Sequence, residues 1–175
     1  MLLVREVHAL AGNLSNEDFR RQVGPFVLVR RPADPVVEQI AMRLGAQRTK
    51  VARTSADAKI LMAELMQTFD DLLVATLPPI HGSEELTVGR LPDNDLVVDD
   101  PSVSKRHAVL RWDNVARRCT VRDLGSRNGT TINGDYVRDL NTLVSDGNML
   151  SFGDAEFCFL ETNSLLAMLR TGQHF

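Results

Sequence analysis

After Asp70-Asp71 the chain stops reading as helix and begins to read as strands. From there, apolar-rich pieces of a few residues alternate with turn clusters at intervals of about 8–12 residues. The pieces are Leu86–Arg90, Asp95–Val98, His107–Trp112, Cys119–Asp123, Thr131–Asn133, Asn148–Phe152 and Phe157–Glu161. None is long enough to set an apolar stripe at helical spacing. Leu72–Leu77 is a fully apolar run stopped by Pro78-Pro79, and Asn133-Gly134 between short runs signals a tight hairpin. Many short strands with close turns bury their apolar faces by stacking two sheets, so this half of the chain predicts a β-sandwich.

The residues before it read mostly as helices. Ser15-Asn16-Glu17-Asp18 offers a capping hydroxyl and an acidic first turn ahead of a run that stops at Gly24. Phe26–Val29 is a short apolar strand candidate, and Asp34-Pro35 opens a helix over 36–44 with Gly45 as its stop. Ala58, Leu61, Met62, Leu65, Met66 and Phe69 follow the i, i+3, i+4 rule, which predicts a helix over Ser55–Phe69. Asn163–Arg170 reads as a short closing helix capped by Asn163. The expected organisation is a helical region over 1–70, a sandwich over 71–162 and a tail over 163–175.

The chain is 43% hydrophobic, which suits a folded protein. It has no run of 18 apolar residues, so no membrane span is expected, and charge at Arg5 and Glu6 comes too early for a secretory signal core. A cytoplasmic setting is the resulting expectation. Cys119 and Cys158 lie far apart, without a CxxC pair or a Cys/His cluster, so neither a metal site nor any cofactor is expected. Residues 1–71 hold ten Lys/Arg against nine Asp/Glu, while residues 72–162 hold nine against fourteen. An acidic sandwich is a poor generic partner for nucleic acid. Any anion it binds must be held by a few well-placed donors.

Three fragments in the second half supply such donors. They are Gly89-Arg90, then Ser104-Lys105-Arg106-His107, then Ser126-Arg127-Asn128-Gly129-Thr130, with Asn94-Asp95, Asp123-Leu124 and Asp146-Gly147 between and after them. In this order, over roughly 71–162, they resemble the forkhead-associated (FHA) domain, a module that binds phosphothreonine peptides. The resemblance implies an antiparallel-rich all-β sandwich of about 11 strands, here preceded by a small mostly helical region that matches no family. It implies that Arg90 and the Ser104 hydroxyl donate to phosphate, with Lys105 beside it. Asn128 would hold the peptide backbone, and Arg127 would contact peptide or phosphate from the opposite loop. Gly89, His107, Gly129 and Thr130 would build the loops. A phosphothreonine carries nearly two negative charges and three strong acceptors, so charge-assisted donors on a rigid scaffold are the chemistry it needs.

The implied partner is a threonine-phosphorylated protein, a Ser/Thr kinase or its substrate, in a bacterial signalling pathway. Two further readings attach to the first half. The segment 40–53, with Ala41, Gly45 and Val51 at helix-turn-helix spacing and Arg43, Arg48, Lys50 and Arg53 on it, is similar to a DNA-binding element, as in a transcription-related protein. Thr54, with an acid three residues on at Asp57, is a candidate phosphoacceptor that the chain's own sandwich could bind, or simply a helix cap with Ser55. An FHA scaffold with a non-functional pocket is the remaining alternative. An enzyme is not expected: Asp99-Asp100 diverge in direction, and no nucleophile or base lies near His8, His81, His107 or His174 in sequence.

Overall fold

The computed structural model describes residues 1–32, 55–76, 85–138 and 141–171. The helix expected over 36–44, its stop at Gly45, the element over 40–53, Thr54, Pro78-Pro79, His81 and His174 lie outside the described residues. Among the described residues the chain opens with β1 (Leu2–Leu3), α1 (Val4–Asn13), α2 (Asn16–Val23) and β2 (Phe26–Arg30). It continues through α3 (Ser55–Thr68), β3 (Leu73–Thr76), β4 (Glu85–Gly89), β5 (Leu96–Val97), β6 (Ala108–Asp113) and β7 (Arg118–Asp123). It ends with β8 (Thr130–Ile132), β9 (Asp135–Tyr136), β10 (Thr142–Val144), β11 (Met149–Phe152), β12 (Ala155–Glu161) and α4 (Thr162–Thr171).

The strands form a seven-stranded sheet, ordered β1-β3-β2-β12-β11-β8-β9, and a five-stranded sheet, ordered β10-β7-β6-β4-β5. The pairings are antiparallel except for β4 with β5. The helices cover the outer face of the larger sheet, so the molecule has three layers and two cores. In β2, Phe26 and Leu28 face the space between the sheets, while Val27 and Val29 face the helices. In β12, Phe157 and Phe159 point one way, Cys158 and Leu160 the other. A strand buried on both faces needs apolar residues at every position, which explains why these runs do not alternate.

Within the sandwich, Phe26 packs on Phe159 with centroids 4.8 Å apart, and Phe152 on Phe157 at 5.8 Å. Such side chains contribute about 2–3 kcal/mol each on burial. The helical layer is fastened by polar contacts as well as packing. Lys59 of α3 and Ser164 of α4 both donate to Asp146, at 2.7 and 2.6 Å, and Thr162 Oγ1 donates to the Gly24 carbonyl at 2.5 Å. Ser15 caps α2 by accepting from the Asp18 amide at 3.2 Å, and Glu6 reaches back to the Leu3 amide at 2.7 Å to close the first turn of α1.

Residues 1–70 therefore do not stand apart from the sandwich as the sequence suggested. β2 is an inner strand, paired with β12 through Phe157↔Arg30 and its successors and with β3 through Val29↔Val74 and its neighbours. Twelve strands are present among the described residues, against about eleven expected. Cys119 lies in the core between the sheets and Cys158 in the core under the helices. Both are free, with thiols pushed up to about 12 by burial. No described helix is long and apolar enough to cross a membrane, and no group of three His, Cys, Asp or Glu among the described residues could hold a metal.

The β6–β7 hairpin turns through Arg117, a non-glycine at φ 49°. An L-residue in this region costs about 1–2 kcal/mol, which a glycine avoids at some cost in unfolded-chain entropy. Arg117→Gly is expected to raise stability by about 0.5–1 kcal/mol, read as a higher midpoint in thermal denaturation.

Candidate functional site

The register of the smaller sheet brings three connections to one end. Val88 of β4 pairs with Ala108 of β6, and Ala108 with Asp123 of β7. The segments 90–95, 98–107 and 124–129 thus leave the sheet side by side. All three sequence motifs lie on them.

The 90–95 loop is tied to its neighbour by backbone. The Arg90 and Leu91 amides donate to the Ser104 and Lys105 carbonyls at 3.0 and 3.3 Å. Asn94 is buried, and its amide nitrogen donates to the Leu91 and Lys105 carbonyls at 2.8 and 2.9 Å. There is no room here for a side chain at Gly89, because a Cβ would come within 2.3 Å of the Lys105 carbonyl oxygen. Arg90 itself is exposed, and its Nε donates to the Val103 carbonyl at 3.3 Å. That contact holds the guanidinium against the neighbouring loop.

His107 is fully buried and ties the three loops together. Its Nδ1 accepts from the Ser104 amide at 3.0 Å. An acceptor at Nδ1 carries no proton, so Nε2 holds it and donates to the Gly129 carbonyl at 3.1 Å. Burial holds the imidazole below its ordinary pKa, against the pull of the Gly129 carbonyl and of Asp123. The ring is neutral, both nitrogens are engaged, and it rests edge-on to Phe152 at 5.8 Å.

Asp123 organises the third loop. Its Oδ1 accepts from the Gly125 and Ser126 amides at 2.9 and 2.8 Å, and its Oδ2 from Ser126 Oγ and Thr130 Oγ1 at 2.7 and 2.6 Å. Burial raises this carboxyl's pKa most of any single influence, but the four bonds together outweigh it and leave the pKa lowered. Thr130 is buried beneath the loop. Gly129 turns the chain at φ 81°, where a side chain would be strained.

Ser104 meets the opposite loop. Its Oγ accepts from the Arg127 amide at 2.9 Å. The hydroxyl proton is then left to donate outward. Asn128 is exposed and spends one amide hydrogen on the Ser102 carbonyl at 2.8 Å. Ser102 in turn donates to Asp100 at 2.7 Å and accepts from the Asp154 amide at 2.8 Å.

The charge balance of this end follows from which acids are already engaged. Asp93 pairs with Arg106 at 2.9 Å, and Arg106 holds its carboxyl below the usual range. Asp95 accepts from Thr87, Asp100 from Ser102, and Asp123 from its own loop. Arg90, Lys105 and Arg127 are exposed and have no carboxylate within ion-pair distance among the described residues. An acidic sandwich thus presents three exposed cations with no acidic partner among the described residues, on the loops that also carry the Ser104 hydroxyl.

Of the residues singled out from sequence, Arg90, Ser104, Arg127, Asn128, Gly89, His107 and Gly129 share this loop cluster by direct contact, with Thr130 below it. Lys105 enters through its backbone carbonyl. The sequence reading gave Asp100 and Ser126 no role in the site, and it noted Asn94 and Asp123 only as surroundings. The signal that finds them is the Asp-x-Ser and Asp-x-x-Ser spacing, at which an aspartate accepts from amides two and three residues on.

Comparison with known proteins places the same span of the chain in a family. Residues 86–153 match the model of the FHA domain. The chain is 31% identical over 115 residues to the glycogen accumulation regulator GarA of Mycobacterium tuberculosis, covering 62% of this chain and 68% of that one. It is 38% identical over 72 residues to the transcriptional regulatory protein EmbR of the same organism, but covers only 41% of this chain and 18% of EmbR. The crystal structure of the FHA domain of CT664 from Chlamydia trachomatis aligns with 51% of this chain and 85% of its own, at 25% identity and a TM-score of 0.45. By its motifs, its matched span and its relatives, the chain belongs to the FHA-domain family.

Proposed function

We propose that this end of the sandwich captures a phosphorylated threonine on a partner protein, and that the chain is a recruitment module in Ser/Thr-kinase signalling. The observation that carries the reading is the Ser104 hydroxyl. Its oxygen accepts from the Arg127 amide and its O–H remains to donate, on the same loop cluster as the exposed cations Arg90, Lys105 and Arg127. A dianionic phosphate with three acceptor oxygens complements that arrangement. Asn128 keeps its carbonyl oxygen and a second amide hydrogen for a peptide backbone. His107, Asn94, Asp123 and Thr130 serve as bracing.

The reading is one of binding, not catalysis. His107 has both ring nitrogens engaged and cannot act as a base without breaking the loop contacts. GarA and EmbR are regulators by name, which fits a protein that acts through partners. Two buried, unpaired cysteines fit a reducing, cytoplasmic setting.

Titration calorimetry against a library of threonine-phosphorylated peptides and their unphosphorylated forms tests the proposal. Micromolar binding of phosphorylated peptides alone is expected. Ser104→Ala is expected to weaken it about tenfold, the worth of one hydrogen bond to a charged group. Equal affinity for both peptide forms would refute the reading.

A further inference from the structure

We infer that Arg30 is a positioning residue for the phosphothreonine site, and that it acts through Asp100 and Ser102 to fix the side chain of Asn128. The inference rests on the phosphothreonine reading above, in which Asn128 holds the peptide backbone. It adds to that site a residue of the larger sheet, distant in the chain from all three motifs.

Arg30 is the last residue of β2. Side chains alternate along a strand, so Arg30 falls on the face that carries Phe26 and Leu28 into the core between the sheets. A charge on such a face is costly to hold without a partner. Here the partner is Asp100, whose Oδ2 lies 3.7 Å from Arg30 Nη2, with the two side chains 33% and 23% exposed. Asp100 belongs to the connection from β5 to β6 of the smaller sheet. The pair therefore joins the two sheets at the end where the loops leave them.

From Asp100 the contacts run without a break to Asn128. While Oδ2 faces the arginine, Oδ1 accepts from the Ser102 amide at 2.9 Å and from Ser102 Oγ at 2.7 Å. The Ser102 carbonyl accepts from Asn128 Nδ2 at 2.8 Å. Ser102 is also held from the β11–β12 turn, where the Asp154 amide donates to its Oγ at 2.8 Å. The Gly153 backbone closes on it so tightly that a Cβ there would lie 2.6 Å from the Ser102 carbonyl oxygen. The Gly153 amide in turn donates to the Gly129 carbonyl at 3.1 Å, next to Asn128. A displacement of Asp100 is thus passed to Ser102, and from its carbonyl to the Asn128 amide.

Arg31 supplies a contrast one residue further on. Its ion pair, to Glu156 of β12 at 2.5 Å, is the closer of the two but stays within the larger sheet. A general loss of charge or of stability at this strand end would follow from either arginine. A loss of Asn128 placement follows from Arg30 alone. The size of the effect is modest, because a partly exposed ion pair is screened by solvent.

The test uses the full chain, one phosphothreonine peptide and two readouts. Arg30→Met keeps an apolar stem on the inward face and removes the charge. It is expected to weaken the peptide about three- to fivefold by fluorescence anisotropy, with a thermal midpoint within a few degrees of wild type. Arg30→Lys is expected to restore most of the affinity, and Arg31→Met to leave it within about twofold. Asp100→Asn keeps an oxygen for Ser102 and loses the ion pair. Adding Arg30→Met to it is expected to cost nothing further, since the two residues act in series. In the free chain, the side-chain amide signal of Asn128 by NMR is expected to move in Arg30→Met and in Asp100→Asn, and to stay in place in Arg31→Met. Losses that multiply in the double variant, an Asn128 signal unmoved by Arg30→Met, or an equal movement in Arg31→Met overturns the relay while the phosphothreonine reading stands. If wild type binds no phosphothreonine peptide, that reading falls, and the Asn128 signal alone decides whether Arg30 positions this side chain.

Discussion

Arg90→Ala is expected to reduce phosphothreonine-peptide affinity at least about a hundredfold, past the limit of calorimetric detection for a micromolar ligand. A guanidinium facing a dianion makes two charge-assisted hydrogen bonds, each worth about 1.5–3 kcal/mol. What the fold loses is small by comparison. Arg90 is exposed, and its one side-chain hydrogen bond among the described residues is the 3.3 Å bond from Nε to the Val103 carbonyl. The backbone bonds that hold its loop, from the Arg90 and Leu91 amides, do not depend on the side chain. The thermal midpoint is therefore expected to stay within a few degrees of wild type. Arg90→Lys should fall between the two, since an ammonium supplies charge without the fork. Calorimetry with one phosphopeptide across the three proteins checks the order. Undiminished binding by Arg90→Ala would remove Arg90 from the site.

Asp123→Ala has the opposite profile, with a large effect on stability. Four donors converge on this carboxylate, two of them amides of the 124–129 loop and one the hydroxyl of buried Thr130. Removing it strands them, at a cost of about 3 kcal/mol, and frees the loop that carries Arg127 and Asn128. Asp123→Asn keeps one acceptor oxygen and should lose about half as much. Urea denaturation measures both. The same carboxylate makes stability depend on acid. Its pKa is lowered in the folded state, so its contribution is fully present above the ordinary aspartate value near 4 and is lost as pH falls through the lower folded value. Wild type should lose stability over that window more steeply than Asp123→Asn, which has no group to titrate there. Parallel curves for the two proteins would show that the network does not titrate.

Much of this site was readable from residue order because its parts are local. A Gly-Arg pair at a strand end, a hydroxyl three residues before a histidine and an Asn-Gly turn each act within a few residues of their own position. The strand rhythm after Asp71 was legible for the same reason: alternation and turn residues report which face of a short strand is wet. The Asn133-Gly134 turn is present with both residues at positive φ, 52° and 90°.

The bracing was harder to read. Asp123 bonds forward to Gly125, Ser126 and Thr130, which is local, but its value lies in ordering a loop against Ser104, twenty-three residues away from Arg127. His107 could be placed as scaffold, but its tautomer is set by a carbonyl twenty-two residues away.

By itself the sequence determined the sandwich and the places where the backbone must turn, because propensity, alternation and turn chemistry act within a few residues. The tertiary structure alone decided that Phe26–Arg30 is an inner strand of the larger sheet and that the helices belong to the same body. A doubly buried strand looks the same in sequence whichever sheet it joins, since every position is apolar and partner choice is made by contacts distant in the chain. The tertiary structure also decided which cations stay free. An acid neutralises a base only where the fold brings them within a few ångströms, and here it turns Asp93, Asp100 and Asp123 away from Arg90, Lys105 and Arg127.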